Sequence, residues 1–300
     1  MPEAKHIMTL DDHDAAPIWT LAFSPDGKTL ASGGSDRTIR LWDLVKRQCR
    51  QILSGHQGSV WSISFSPDGK ALASSSEDDS LKLWQIETGR EIATLPCINP
   101  PIVDALAYSP DGSLLAASNQ PEGIKIWQLS TLKCIQTIST DAGQDIPLAF
   151  SPNSQLLAVG LTEGKIGLWN ISDRIWQISS VGHTARLTDL TFSRDGQTFA
   201  SSSADNTIRV WQLPSGKCRR VLQGHQSRIS SISIAPDDRT LASGSEDGSI
   251  RLWNMSTGRC LKVLSGYSDR VWSIAYSPDG QTVASANEPG VIRLWNIATG

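Results

Sequence analysis

The sequence lacks long hydrophobic runs and an excess of charge of either sign. Its longest apolar stretches are a few residues, such as those at 156–159, whereas a membrane-spanning helix needs about 20. The N-terminus is charged, MPEAKHIMTLDDHD, and has no apolar segment of a secretory signal. A formal net charge of −3 over 300 residues argues against surfaces for nucleic acid or membranes. We therefore expect a cytoplasmic protein with neither kind of partner.

Cysteine is also scarce, with five residues in the whole chain. Four of them, Cys49, Cys134, Cys218 and Cys260, take the same place in different units of the repeat described below. Equivalent positions of separate units lie too far apart for a disulfide, whose Cα atoms must be within ~7 Å of each other. We predict reduced thiols, no metal site and no cofactor.

Helix-forming runs are few, whereas Ser, Gly, Thr, Ile, Val and Trp are plentiful. This composition favours strands and turns. The stretch 224–254 contains three alternating apolar runs, separated by a Pro-Asp turn and an Asp-Gly turn, and ends in Trp253-Asn254. We interpret it as three short strands joined by two turns.

The same pattern recurs along the whole chain at a spacing of 42 or 43 residues. Before each closing Trp lies a turn such as Ser24-Pro25-Asp26-Gly27, in which Pro fixes φ and Gly accepts a positive φ. A polar turn and a fourth apolar run follow the Trp, so each unit is predicted to be a four-stranded antiparallel meander. The seven closing tryptophans are Trp42, Trp84, Trp127, Trp169, Trp211, Trp253 and Trp295.

The two ends of the chain indicate how the units are arranged. One such sheet cannot bury both of its faces, so seven sheets must stack on one another in a ring. The last unit stops at Gly300 without a fourth strand, and residues 6–13 match the fourth strand and following Gly-His of other units. We predict an all-β, seven-bladed β-propeller of four-stranded antiparallel blades, in which residues 1–300 form one domain and the N-terminal strand completes the last blade.

The Gly-His pair, the Ser-x-x-x-Asp segment and the closing Trp followed by Asp, Asn or Gln resemble the WD-repeat family. The resemblance covers essentially the whole chain, although only Trp42-Asp43 keeps the dipeptide that names the family. It implies a β-propeller that acts as a non-catalytic scaffold or adaptor, monomeric, for a protein or peptide partner. Two alternatives are a regulatory or sensor module of a larger signalling protein and a propeller that binds a ligand in its central channel.

Four units carry His, Ser, Asp and Trp in fixed register. Ser, His and Asp together suggest acyl transfer, but a hydrolase needs one exposed nucleophile, whereas this set is repeated beside an indole. In the resembling family these groups form a buried chain of hydrogen bonds from Trp to Ser to His to Asp. We therefore predict no enzyme and four structural chains: His13, Ser32, Asp36, Trp42; His56, Ser74, Asp78, Trp84; His183, Ser201, Asp205, Trp211; His225, Ser243, Asp247, Trp253.

The other three units depart from this set. Two explanations account for such departures: sequence drift in blades that are stabilised by their neighbours, and selection for a binding loop. We expect the weakest protection from hydrogen exchange in the third and fourth blades, which are adjacent. The replacements are Ala117 and Pro121 in the third unit, Val159 and Glu163 in the fourth, and Tyr267 and Pro289 in the seventh.

The resemblance also implies where a partner binds, namely on the face built from the loops that lead into each blade, here called the leading loops. Two positions in each leading segment point to that face. The inner position carries Trp in the seventh, first and second blades, and the outer one carries Arg in the fifth, sixth and seventh. Aromatic and Arg side chains dominate binding hot spots. We predict these partner-binding residues: Trp19, Trp61, Trp272, Arg186, Arg228, Arg270, Ile102 and Asp104.

Two alternatives concern this face. Trp61 alternates with Ile63 and Phe65, so filling of the space between blades is an alternative role for the tryptophans. Three glutamates that precede the Asp place are candidates to pair with the arginines: Glu77, Glu246 and Glu288.

Overall fold

The computed structural model describes residues 5–11, 13, 15–95, 105–119, 123–140, 146–264 and 267–297. These residues form twenty-eight strands in seven four-stranded sheets, together with a 3-10 turn at Thr162–Gly164. The strands are β1 (Lys5–Leu10); β2 (Ile18–Phe23), β3 (Thr29–Gly34), β4 (Thr38–Asp43) and β5 (Gln48–Ser54) in blade 1; β6 (Val60–Phe65), β7 (Ala71–Ser76), β8 (Leu81–Gln85) and β9 (Glu91–Leu95) in blade 2; β10 (Leu106–Tyr108), β11 (Leu114–Asn119), β12 (Gly123–Gln128) and β13 (Lys133–Ile138) in blade 3; β14 (Leu148–Phe150), β15 (Leu156–Gly160), β16 (Lys165–Asn170) and β17 (Ile175–Val181) in blade 4; β18 (Leu187–Phe192), β19 (Thr198–Ser203), β20 (Thr207–Gln212) and β21 (Lys217–Gln223) in blade 5; β22 (Ile229–Ile234), β23 (Thr240–Ser245), β24 (Ile250–Asn254) and β25 (Cys260–Leu264) in blade 6; and β26 (Val271–Tyr276), β27 (Thr282–Asn287) and β28 (Ile292–Asn296) in blade 7.

The N-terminal strand closes the ring. β1 pairs antiparallel with β28, with His6 opposite Trp295 and Leu10 opposite Ile292. Leu10 is buried and lies in one apolar cluster with Ile18 of blade 1, so β1 connects the last blade to the first. The predicted seven-bladed propeller and its closure by the N-terminal strand are both confirmed.

The blades pack face to face through apolar side chains, because a four-stranded sheet must cover both of its faces. In blade 2 the closing Trp84 lies in the same cluster as Ile39 and Leu53 of blade 1. The innermost strands of successive blades contact one another around the whole ring, including β26 and β2. The hydrophobic core is therefore divided among the blade interfaces.

A second kind of contact links the innermost strands near the channel. At five of the seven junctions, a backbone N–H of one blade donates to a side-chain oxygen of the preceding blade. In the described part of the chain, neither junction of blade 4 has this bond, because Ala105 and Pro147 occupy the acceptor positions. The five pairs are Leu21 to Ser273 at 3.0 Å, Ile63 to Thr20 at 3.2 Å, Leu106 to Ser62 at 3.3 Å, Ile232 to Asp189 at 2.8 Å and Ile274 to Ser231 at 3.2 Å.

We expect backbone amides of blades 3 and 4 to exchange with deuterium roughly fivefold to tenfold faster than the equivalent amides of blade 6, since a net hydrogen bond is worth about 1 kcal/mol. The innermost strands β10 and β14 have three residues each, whereas β22 has six. Exchange measured by mass spectrometry tests this expectation, and Ala105→Ser, which restores an acceptor, should slow exchange of the Leu148 amide. Equal protection in all blades would contradict it.

Candidate functional site

Blade 6 contains a continuous chain of side-chain hydrogen bonds. Trp253 Nε1–H donates to Ser243 Oγ at 2.8 Å, Ser243 Oγ lies 2.8 Å from His225 Nε2, and His225 Nδ1 lies 2.9 Å from Asp247 Oδ2. These bonds join β23, β24, the leading loop and the β23–β24 turn. The same bonds, 2.6 to 3.0 Å long, recur in three other blades: His13, Ser32, Asp36 and Trp42; His56, Ser74, Asp78 and Trp84; His183, Ser201, Asp205 and Trp211.

Each aspartate of these chains receives further donors. Asp247 accepts from the Ser249 hydroxyl at 2.6 Å and from the Gln226 N–H at 2.9 Å. Burial raises the pKa of Asp247, but the donors of Ser249, Gln226 and His225 outweigh it and lower that pKa to about 2. The carboxylate is therefore ionised at neutral pH. Burial also lowers the pKa of His225.

The hydroxyl two residues after each aspartate is a part of the chain that the sequence reasoning missed. A hydroxyl occurs at this position in the four complete units, and Gly123, Lys165 and Val291 occur in the other three. That difference was readable in the sequence and marks the same units. The four hydroxyl residues are Thr38, Ser80, Thr207 and Ser249.

The serines of these chains have no access to a substrate. Ser32, Ser74, Ser201 and Ser243 are each 0% exposed, and each Oγ is occupied by an indole N–H and an imidazole nitrogen. Acyl transfer needs a nucleophile that reaches the scissile carbonyl. This geometry suits mechanical linkage of the strands instead.

In blades 3 and 4, loss of the chain serine leaves the closing tryptophan without its hydrogen bond. Ala117 and Val159 replace the serine in blades 3 and 4, and the indole N–H groups of Trp127 and Trp169 have no hydrogen-bond partner among the described residues. A buried donor without a partner costs about 1–3 kcal/mol. Blades 3 and 4 therefore lack the Trp–Ser hydrogen bond that links two strands in each complete blade. The Pro121 replacement lies outside the described residues.

In blade 7 a tyrosine replaces the histidine of the complete blades. The Tyr267 hydroxyl lies 2.9 Å from Ser285 Oγ, which also accepts from Trp295 Nε1–H at 2.8 Å. The Arg293 guanidinium carbon lies 4.3 Å from the centre of the Tyr267 ring. Tyr267 therefore takes over the contact that His makes with Ser in complete blades.

The three predicted tryptophans of the leading segments lie together, and we call them the tryptophan arc. The ring centres of Trp19 and Trp61 are 5.3 Å apart, and those of Trp19 and Trp272 are 5.1 Å apart. All three side chains are half-buried. Their indole N–H groups are buried and have no hydrogen-bond partner in the described part of the chain.

A β-bulge places each tryptophan of this arc. The register of the innermost strand shifts between Ile18 and Thr20, so Trp19 is the extra residue, and Trp61 and Trp272 occupy the same place in their strands. Bulges redirect side chains and are frequent near binding sites. The sequence pattern did not reveal these bulges.

The arginines lie beside the arc. The Glu246 carboxylate stands between two of them, 3.5 Å from Arg228 Nη1 and 4.0 Å from Arg270 Nε. Arg270 keeps 52% of its side chain exposed, and its guanidinium carbon is 5.9 Å from the centre of the Trp272 ring. Arg186 is exposed on blade 5. Aromatic and cationic groups therefore meet at blade 7.

Other predicted positions have different surroundings. Ile102 and Asp104 lie outside the described residues. Ile146, the inner residue of blade 4, is 2% exposed and belongs to the core. Glu77 accepts from the Ser59 hydroxyl of its own blade at 2.8 Å. Glu246 pairs with two arginines of this face, as predicted for the glutamates before the Asp place.

The opposite end of the channel holds a cavity of about 440 Å³. Its wall is largely apolar and includes Tyr108, Phe150 and Phe192 at the ends of their strands. Within the described ranges, no cluster of three or more His, Cys, Asp or Glu side chains is arranged to hold a metal ion. No helix among the described residues has the length and apolar character needed to cross a bilayer.

Comparison with known proteins places the chain in a family. The family model of the IFT122 first β-propeller matches residues 17–296. Shorter matches include the general transcriptional corepressor TUP1 of Saccharomyces cerevisiae, 49% identical over 43 residues, which are 14% of this chain and 6% of that protein. WD repeat-containing protein 86 of Homo sapiens is 43% identical over 49 residues, which are 16% of this chain and 13% of that protein.

Each curated match is about one repeat long, so this chain covers only a small share of those relatives. WD-repeat propellers generally bind protein partners and are generally non-catalytic. The match over residues 17–296, the seven four-stranded blades and the repeated Trp chains agree with one another. The chain therefore belongs to the WD-repeat β-propeller family described by the IFT122 first β-propeller.

Proposed function

We propose that this protein is a non-catalytic interaction scaffold that binds a protein partner on the face of the leading loops. The observation that carries the proposal is the tryptophan arc, in which Trp19 contacts both Trp61 and Trp272 while all three rings remain partly exposed. Three clustered aromatic side chains at a ring surface provide a large apolar contact area at a low cost in side-chain entropy.

The chemistry beside the arc defines the kind of partner. Arg270 and Arg186 are exposed, and Glu246 keeps Arg228 and Arg270 in place. A peptide or loop with an apolar or aromatic anchor and a nearby carboxylate fits this surface, because Arg forms bidentate bonds with carboxylates. The anchor covers the indole rings and the carboxylate approaches Arg270.

The remaining features are consistent with this role. The serines of the hydrogen-bond chains are buried in all four complete blades, so they cannot reach a substrate. Cys49, Cys134, Cys218 and Cys260 are free thiols, which fits a reducing, cytoplasmic environment.

Replacement of Trp19, Trp61 and Trp272 by Ala should abolish capture of partners in an affinity purification from the native host. The expected loss is at least about a hundredfold in affinity, since hot-spot aromatics each contribute roughly 2 kcal/mol or more. Circular dichroism and the melting curve establish that the triple variant is folded. If the folded triple variant retains every partner, the site is elsewhere.

A charge variant provides a matched test with less disturbance of packing. Arg270→Glu lies on the proposed face, whereas Arg219→Glu places the same change on exposed β21. We expect Arg270→Glu to weaken partner binding and Arg219→Glu to leave it unchanged. Equal effects of the two variants would contradict the proposed position of the site.

A further inference from the structure

The outer strand of blade 4 differs from every other outer strand of the ring. β17 is seven residues long, IWQISSV, and contains no charged residue. The other six outer strands each carry at least one charge: Lys5 in β1, Arg50 in β5, Glu91 in β9, Lys133 in β13, Lys217, Arg219 and Arg220 in β21, and Lys262 in β25. Charged side chains on edge strands prevent pairing with other chains.

β17 also presents apolar side chains to the solvent. Val181 is 67% exposed, Ile175 is 54% exposed and Trp176 is 38% exposed. The strand is the last one in its sheet, so its outer edge has no strand partner among the described residues. Apolar side chains beside an open backbone edge form a surface on which a further β-strand can be added.

Blade 4 is adapted to hold an indole at this edge. The centres of the Trp176 and Trp169 rings lie 5.1 Å apart in an edge-to-face arrangement. A Cβ at Gly167 would clash with the Trp176 ring, so the absence of a side chain there makes room for it. The six equivalent positions of the other blades are all cationic: Arg40, Lys82, Lys125, Arg209, Arg251 and Arg293. The apolar character of β17 therefore extends inward to the neighbouring strand.

From these observations we infer that β17 is an interface at which two copies of this chain pair edge to edge, antiparallel about a two-fold axis. A two-fold axis places each strand opposite a second copy of itself, so any charge on the strand would recur close to its own copy. Among the described outer strands β17 alone carries no charge, and this compatibility with its own copy identifies a second copy of the chain as the occupant. Ile175 of one copy then approaches Val181 of the second copy.

The size of this contact predicts its strength. One pair of seven-residue strands buries less surface than the roughly 1,200–2,000 Å² of stable interfaces. We therefore expect a weak, concentration-dependent dimer, in contrast to the monomer that the sequence resemblance implies. The dimer does not involve the tryptophan arc, so the two proposals fail independently.

Sedimentation velocity of the full chain, up to several hundred micromolar, tests the inference. The wild type should shift from monomer to dimer, and the amides of β17 should gain protection from deuterium exchange as concentration rises. Val181→Lys should raise the dimer Kd at least about tenfold, because the two-fold axis places the added positive charge at two positions of an otherwise uncharged interface. Val263→Lys on β25, 48% exposed in the native chain, is the matched control and should dimerise like the wild type.

Three results would overturn the inference. A wild-type chain that stays monomeric over this range excludes the dimer, even if a foreign strand binds β17. A dimer that Val181→Lys leaves intact uses another surface. Loss of the dimer in both variants, each with a normal melting curve, also contradicts an interface confined to β17.

Discussion

Removal of residues 1–12 is expected to lower the melting temperature by more than about 10 °C. The deletion removes the outer strand of blade 7 and the buried Leu10, which is 5% exposed and packs with Ile18 and Trp42 of blade 1. The lost strand pairing and apolar burial together are worth roughly 5 kcal/mol or more, and each kcal/mol shifts the midpoint by about 2–4 °C in a domain of this size class. Differential scanning calorimetry measures the change.

Two additional samples identify β1 as the cause. Deletion of residues 1–4 alone keeps every pair of the β1–β28 register from Lys5 onward and should leave the melting curve close to that of the wild type. A synthetic peptide of residues 1–12, added to the truncated chain, should restore part of the lost stability because it can pair with β28 in trans. An unchanged melting curve of the truncated chain would disprove closure by β1.

Ser243→Ala is expected to lower the free energy of unfolding by about 2–4 kcal/mol, because it leaves two buried partners without a hydrogen bond. The Trp253 indole N–H and His225 Nε2 both bond to Ser243 Oγ at 2.8 Å. Urea denaturation followed by circular dichroism gives the change directly. Partner binding should persist in this variant, since the serine is fully buried.

The matched control is Ser256→Ala, a serine on an exposed turn whose hydroxyl bonds to Asn254. It should alter the free energy of unfolding by less than about 0.5 kcal/mol. A similar loss in both variants would contradict a special role for Ser243. A hydrolytic activity that disappears with Ser243 would overturn the structural interpretation of these chains altogether.

The fold was predictable because its signals are local and repeated. A turn such as Ser24 to Gly27 specifies its own hairpin, and seven closing tryptophans at a nearly constant spacing fix the number of blades. Closure was predictable for the same reason, since residues 6–13 repeat a pattern that is complete elsewhere. The structure places β1 beside β28 as this pattern requires.

Features that depend on pairs of residues from different blades were not predictable in this way. Arg194 replaces the proline of one turn, and Asp238 replaces the glycine of the corresponding turn in the next blade. The Asp238 carboxylate accepts the Arg194 N–H at 2.6 Å and the Asp195 N–H at 2.9 Å. Each substitution alone looks like drift, because proline has no N–H to donate and glycine has no carboxylate.

The candidate binding face was predictable in composition but not in geometry. The sequence identified Trp19, Trp61 and Trp272 as members of one arc, but the contacts among their rings depend on bulges that the alternating pattern does not encode. The bridging position of Glu246 between Arg228 and Arg270 depends on side-chain directions across two blades. The charge-free edge of β17 was visible in the sequence, but its exposure was not.

One affinity purification with parallel urea denaturation distinguishes loss of stability from loss of binding in three proteins: the wild type, Ser243→Ala, and the triple Trp19, Trp61 and Trp272 to Ala variant. We expect Ser243→Ala to lose stability and keep the partners of the wild type, whereas the folded triple variant should lose them. Retention of every partner by the folded triple variant, or loss of partners in folded Ser243→Ala, would contradict the separation of the stabilising chains from the binding face.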